Sequence, residues 1–364
     1  MQCSRCGEEC EHRRSEGGGA RRGEEHVCST PVSTHNLDDE IASLAGSSPP
    51  PPPPSSMSDD DEATDGASLI DASFAEPGVP CAYTTRDLLL YSLGIGCSSL
   101  CHVHEDAGDF AAFPTYPVVL GFKGDAADVV SFPSPAMLAS APMPAVPGTR
   151  TVLDAERYVE MVRPLPPEGA SDLVLRSRVV GAHQKPKGVV IQTESELRDA
   201  GGELLYRMQA AAFAVGARGL KSAGVVHSQP AAPPDRAPDA TVSEVVPVSQ
   251  ALVYRLSGDY NALHIDPDMA MAAGFERPIL HGLCSLGYAT RHVLDACADG
   301  DPSRFKAVRA RFSSPVLPGD TLVTRMWKVG HGRIAFVTLV ERTGKPAITN
   351  AYVDLADAPP ASSL

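Results

Sequence analysis

The sequence predicts an α+β body built as a pseudo-duplication, two antiparallel sheets each preceded by helical material. Three observations point to it. The chain of 364 residues is longer than one hydrophobic core usually occupies, so two packed units are expected. Strand-like runs arrive in two clusters, each punctuated by turn residues. A proline-rich crossing separates the clusters, and a helical pattern comes before each.

The totals narrow the function classes. A net charge of −14 argues against a nucleic-acid binder, which needs a basic stripe to displace counterions. No apolar run approaches the roughly 20 residues that span a bilayer. The nine cysteines include Cys3, Cys6, Cys10 and Cys28 near the start and Cys81, Cys97, Cys101, Cys284 and Cys297 further on. An odd count without a secretory signal fits free thiols in a reducing compartment. The opening residues lack the apolar core of a signal peptide.

Taken in order, residues 1–78 read as a low-complexity, disordered tail. They hold Gly17-Gly18-Gly19, a proline run at 49–54 and Asp59-Asp60-Asp61-Glu62, with little to build a core. Met57 offers an alternative start. Residues 79–228 form the first unit. Thr84 or Thr85 caps a helix that runs through Leu93 and stops at Gly94. Runs at 173–180, 188–197 and 204–215 then make a meander, with turns at Lys185-Pro186-Lys187-Gly188 and Asp199-Ala200-Gly201-Gly202. Residues 229–242 are the linker. In the second unit, 243–357, Asp266-Pro267 opens a helix, the acid as cap and the proline at the first helical position. A longer helix over 282–298 carries Leu283, Leu286, Val293 and Leu294 at three-to-four spacing. Strands follow at 305–312, 321–329, 333–341 and 347–355, and 358–364 is a tail.

The densest polar cluster in a foldable segment is Ser257-Gly258-Asp259-Tyr260-Asn261-Ala262-Leu263-His264, followed by Pro278-Ile279-Leu280-His281-Gly282. Asp259, Asn261 and His264 lie within six residues and can converge from one loop. A carboxylate beside an imidazole holds and polarises a water. The Asn261 amide can orient that carboxylate. Gly282 at a helix start offers a free N–H, aided by the helix dipole, to a thioester oxygen that becomes enolate-like. Each feature alone has a plainer reading: a turn, a loop cap, a helix start, a half-buried His281. Their joint spacing is harder to explain by structure alone.

The run from Tyr254 to Pro267 resembles the signature of MaoC-like, type-2 (R-specific) enoyl-CoA hydratases, including the hydratase-2 part of peroxisomal multifunctional enzymes. Residues 274–284, 303–306, 310–312 and 350–355 extend the likeness, which covers roughly 80–357. The resemblance implies a double hot-dog fold: a catalytic C-terminal hot dog and a degenerate N-terminal one that accommodates the acyl chain. It implies hydration of trans-2-enoyl-CoA to the 3R alcohol in fatty-acid β-oxidation. Asp259 and His264 match the water-activating and proton-handling pair, Asn261 the orienting amide and Gly282 the oxyanion donor. Tyr260, Ala262, Leu263 and Phe312 match substrate-lining positions. Glu105 falls where larger relatives have a second important acid, a solvated loop acid being the plainer reading. Asp154-Ala155 stands where relatives carry His-Gly, and the resemblance implies that these two also contact substrate, through a different pair of side chains. Lys185 matches a basic position for the CoA portion, against the plainer reading of a solvated turn lysine.

No metal or redox cofactor is implied. Cys3, Cys6, Cys10, His12 and Cys28 have zinc-like composition without a clean second pair. No G-x-G-x-x-G precedes a helix in a βαβ unit, so no dehydrogenase domain is expected. The resemblance implies a homodimer. The terminal Ser362-Ser363-Leu364 is similar to a peroxisomal address lacking its basic residue, which would engage an import receptor. Two rivals stay open: a dehydratase acting on carrier-protein thioesters, and an inactive acyl-CoA-binding paralogue.

Overall fold

The computed structural model describes residues 64–140, 143–227 and 232–357. The amino-terminal cysteines, Met57 and Ser362-Ser363-Leu364 lie outside the described residues. Structure begins before the expected end of the tail at residue 78. Strand β1 (Thr64–Asp65) pairs in parallel with Leu220 and Lys221, and Asp65 caps a 3-10 turn over Gly66–Leu69. Asp71 accepts the Val179 N–H at 2.7 Å. Short acids that cap turns and bond to backbone anchored this polar segment, a signal that composition does not reveal.

The first half contributes β2 (Val79–Thr84), α1 (Thr85–Gly94), the short helices α2 (Leu100–Val103), α3 (Leu120–Lys123) and α4 (Pro135–Ser140), and strands β3 (Thr151–Met161), β4 (Gly169–Lys185), β5 (Gly188–Arg198) and β6 (Leu204–Val215). The two-residue strands β7 (Leu220–Lys221) and β8 (Ala223–Gly224) begin the crossing. The second half holds β9 (Ala240–Val245), α5 (Gln250–Tyr254), α6 (Pro267–Ala272), α7 (Gly282–Ala298), β10 (Phe305–Phe312), β11 (Thr321–Lys328), β12 (Arg333–Val340) and β13 (Pro346–Leu355). Thr84 and Asp87 form a reciprocal capping box on α1. Strand β9 starts at Ala240, inside the stretch expected to be linker.

One sheet runs β2-β4-β5-β6-β3-β10-β13-β12-β11-β9. Each half therefore repeats the same order, its first strand at the outer edge and its second at the seam. At the seam β3 and β10 pair antiparallel, Val159 opposite Val308 and Arg157 opposite Ala310. The duplication is of topology, and the sheet is continuous across it.

The sheet wraps α7, which is buried on nearly all sides. Helix α7 comes so close to the chain after α1 that a side chain at Gly287 would clash with Ile95. The first half has no matching long helix among the described residues. Short helices and loops between Gly94 and Thr151 cover its inner face, and between them and the strands lies a groove of about 90 Å³. Pro117, Val118, Phe122, Val159 and Met208 give it an apolar wall, and Arg157 a charged one.

Candidate active site

Asp259 enters on a reversal of the chain. Gly258 has φ 134°, a region open to glycine and strained for other residues. The turn carries Asp259 into a buried position, 7% exposed. The Asn261 backbone N–H donates to Asp259 Oδ1 at 3.2 Å. Asn261 Oδ1 accepts from the Leu263 N–H at 3.1 Å and caps the turn Ala262–His264. This corrects the expected role of Asn261: its backbone N–H steadies the carboxylate, while its side chain holds the turn that delivers His264.

The ring of His264 is set by the Ile279 carbonyl, 2.9 Å from Nδ1. A carbonyl only accepts, so Nδ1 carries the hydrogen and Nε2 keeps its lone pair. His281 caps α7, and its Nε2 lies 3.2 Å from the Asp259 carbonyl oxygen. The same logic leaves His281 Nδ1 as an acceptor, buried and with no hydrogen-bond partner in the protein. The two imidazoles stack at 3.7 Å between centroids, and Tyr254 packs on His281 at 4.9 Å.

Burial sets the charge states. It pushes the Asp259 carboxyl up to about 6, partly opposed by the Asn261 N–H. Burial pushes His264 down to about 4. His281 is driven well below the ordinary histidine value by burial and then by His264. At neutral pH the cluster is one carboxylate flanked by two neutral imidazoles.

One ligand atom each from Asp259, His264 and His281 lies within 4.8 Å of the others. Two imidazoles and a carboxylate at this spacing can hold a water, and the donor types would equally suit a divalent metal.

Gly282 is the first residue of α7, where N–H groups have no partner inside the helix. Phe312 ends β10 directly over it, since a Cβ built on Gly282 would touch that ring at 3.4 Å. Asp154 and Arg157 face the same region, because both act electrostatically on Asp259. Tyr260 lies under the Arg255 guanidinium, 4.8 Å from ring centre to carbon. Ala262 and Leu263 form the capped turn, and Ala155 is buried in β3.

Two expected residues are not gathered here. Glu105 is exposed at the turn after α2 and makes no contact recorded with the cluster. Lys185 ends β4 opposite Gly188, at the β4–β5 hairpin. Conversely, His281 belongs to the cluster although the residues alone suggested a half-buried bystander. The available signal was its place immediately before a helix start that already offered the Gly282 N–H.

Residues 81–216 match the MFE-2 hydratase 2 N-terminal domain, and residues 226–351 match the MaoC like domain. The chain is 44% identical to peroxisomal multifunctional enzyme type 2 of Drosophila melanogaster over 75% of its own length and 46% of that protein. It is 33% identical to peroxisomal enoyl-CoA hydratase 2 of Arabidopsis thaliana, over 75% of this chain and 90% of that one. The crystal structure of a MaoC-like dehydratase from Phytophthora capsici superposes with a TM-score of 0.73 at 38% identity, covering 80% of this chain and 98% of the other. The chain spans less than half the length of the multifunctional enzymes it matches, 46% and 38% in the fly and mouse proteins.

Proposed function

The chain belongs to the MaoC-like hydratase 2 family, and from that premise we propose that it hydrates trans-2-enoyl-CoA thioesters reversibly to (3R)-3-hydroxyacyl-CoA. The observation that carries this reading is the convergence of Asp259, His264 and the α7 N-terminus. A buried carboxylate and an imidazole lone pair lie within 4.8 Å of each other, next to a helix start whose Gly282 N–H has no intrahelical partner.

The chemistry follows from these groups. A water held by Asp259 and the Nε2 of His264 gives up one proton to the pair as its oxygen bonds to C3. The double-bond electrons move onto the thioester as an enolate, whose oxygen the Gly282 N–H and the dipole of α7 stabilise. C2 then takes a proton back from the pair, so water is added with no net change in the protein. Dehydration is the same path reversed. Phe312 closes one wall beside Gly282 and keeps bulk water from the enolate.

We assign the acyl tail to the groove of the first half. Its lining by the apolar Pro117, Val118, Phe122, Val159 and Met208 supports this. Lys185, at the β4–β5 hairpin, is kept as a contact for the CoA portion. Relatives named as peroxisomal enzymes support a place in peroxisomal β-oxidation. Fluorescence microscopy of the tagged full chain tests the location, and sedimentation velocity tests the homodimer.

Mixing the protein with trans-2-decenoyl-CoA and following the enoyl-thioester absorbance, then resolving the product on a chiral column, tests the reaction. Accumulation of the 3R alcohol is expected. An S product, or no turnover on short, medium and long chains, overturns the reading.

A further inference from the structure

Strand β3 breaks strict alternation at one place. Its register against β6 slips between Asp154, opposite Ala212, and Glu156, opposite Ala211, so Ala155 is an extra residue. On a regular strand, residues three apart point to opposite faces. The bulge removes that conflict: Asp154 stands opposite Ala212 and Arg157 opposite Ala210, two positions of one face of β6. It is the inner face, because Arg157 also lies opposite Ala310, a core residue, and lines the groove. There Arg157 Nε meets the two carboxylate oxygens of Asp154 at 2.9 and 3.1 Å.

The bulge looks across at the reacting groups. Arg311 pairs with Glu156, so the next residue, Phe312, comes abreast of Ala155. Phe312 covers Gly282, and the neighbouring His281 reaches the Asp259 carbonyl. We propose that the Asp154–Arg157 ion pair is a positioning device for the charge on Asp259: the Asp154 carboxylate opposes that charge, and the guanidinium, held in place by Asp154, offsets the opposition. This rests on Asp259 being the base of the hydration described above. Both residues are about a quarter to a third exposed, which moderates their field without removing it.

The other groups around Asp259 leave this role open. His264 and His281 are neutral near pH 7, and the Tyr254 phenol, raised far by burial, stays protonated. Arg255 is stacked on Tyr260 and acts on His281. Lys123 packs against Gly258, but its ammonium is bound by Asp87 at 3.0 Å. Asp154 pushes the Asp259 carboxyl up, and Arg157, with the smaller effect, draws it down. The two substitutions therefore have opposite signs, which a merely structural role would not produce.

The test follows Asp259 in two ways in the full chain. One is the NMR titration of ¹³C-labelled aspartate carboxyls, with the Asp259 signal assigned by its loss in Asp259→Asn. The other is the pH profile of kcat/KM on trans-2-decenoyl-CoA. Arg157→Gln is expected to move the Asp259 midpoint and the acidic limb to higher pH by roughly half a unit, about threefold in rate on that limb. Asp154→Asn is expected to move both to lower pH, and Arg157→Lys to restore the wild-type midpoint. Midpoints that stay put, or that move the same way in both variants, overturn the proposal. Opposite NMR shifts in a chain that never turns over would sink the hydration reading and leave the ion pair standing. Should Arg157→Gln not fold, the sign of the Asp154→Asn shift decides alone.

Discussion

The imidazoles of His264 and His281 lie face to face, 3.7 Å between ring centres and 26° from parallel. Both are buried, so neither accepts a proton easily, and a charge on one raises the penalty for the other. Each presents a single lone pair because a backbone carbonyl fixes its other nitrogen. The pair thus stays neutral beside Asp259.

Acid stability should report this. His264 titrates near 4 in the fold against roughly 6.5 in the unfolded chain. The unfolded state binds more protons between those values, so stability is lost as pH falls through that window. His264→Gln is expected to flatten the decline of Tm between pH 6.5 and 4. A slope identical to wild type by calorimetry would refute the neutral assignment.

Asp259 has the opposite sign. Its carboxyl stands near 6 in the fold against about 3.9 unfolded, so the folded state holds the extra proton and loses stability as pH rises through 6. A carboxyl raised by about two pH units weakens the fold by up to about 3 kcal/mol at neutral pH. Asp259→Asn should therefore raise Tm at pH 7.5 and leave it unchanged at pH 4, while kcat/KM falls roughly 10²- to 10⁴-fold. In wild type, kcat/KM should decline below pH 6, where Asp259 takes its proton. A destabilised variant with normal turnover would contradict both halves of this account.

Gly282→Pro isolates the backbone donor. Proline is well accepted at the first helical position, and His281, at φ −59° and ψ 133°, already has the extended backbone a following proline demands. The helix should survive while the N–H disappears. A loss of roughly 10²- to 10³-fold in kcat is expected, with KM less affected. Turnover near wild type in a folded variant would remove Gly282 from the mechanism.

Asn261→Ala tests the corrected role of that residue. Losing the cap on Ala262–His264 should cost about 1 kcal/mol of stability, while the backbone N–H still steadies Asp259. Asn261→Ser, another capping residue, should recover most of the stability. A loss of activity as deep as that of Asp259→Asn would mean the side chain touches substrate.

Glu105→Gln should change kcat/KM less than twofold, because the residue is exposed at a turn away from the recorded contacts of the cluster. A drop beyond tenfold would restore it as a second acid.

Much of the second half was legible because its elements are locally consistent. The α7 residues repeat with helical spacing, and Asp266-Pro267 starts α6 with side chain and ring alike. Strand β3 was not legible. Its Asp154, Glu156, Arg157 and Glu160 break the apolar alternation, and their partners meet them only after folding: Asp154 and Arg157 pair across the bulge, Glu156 meets Arg309 and Arg311, and Glu160 meets Arg207. The site divides the same way. Asp259 and His264 share one loop and could be read together. His281 joins them across seventeen residues, through a contact that only tertiary structure makes. Glu105 was placed by likeness alone, and nothing in its surroundings holds it near the carboxylate.

The hydrogen-bonded seam between β3 and β10 ties the two halves into one cooperative unit. A gene fragment encoding either half alone would leave that strand without its partner, an unpaired edge ready to template association with other chains. The repeats have kept the same layout while losing the option of separation. Drift in one half is therefore answerable to the stability of the other.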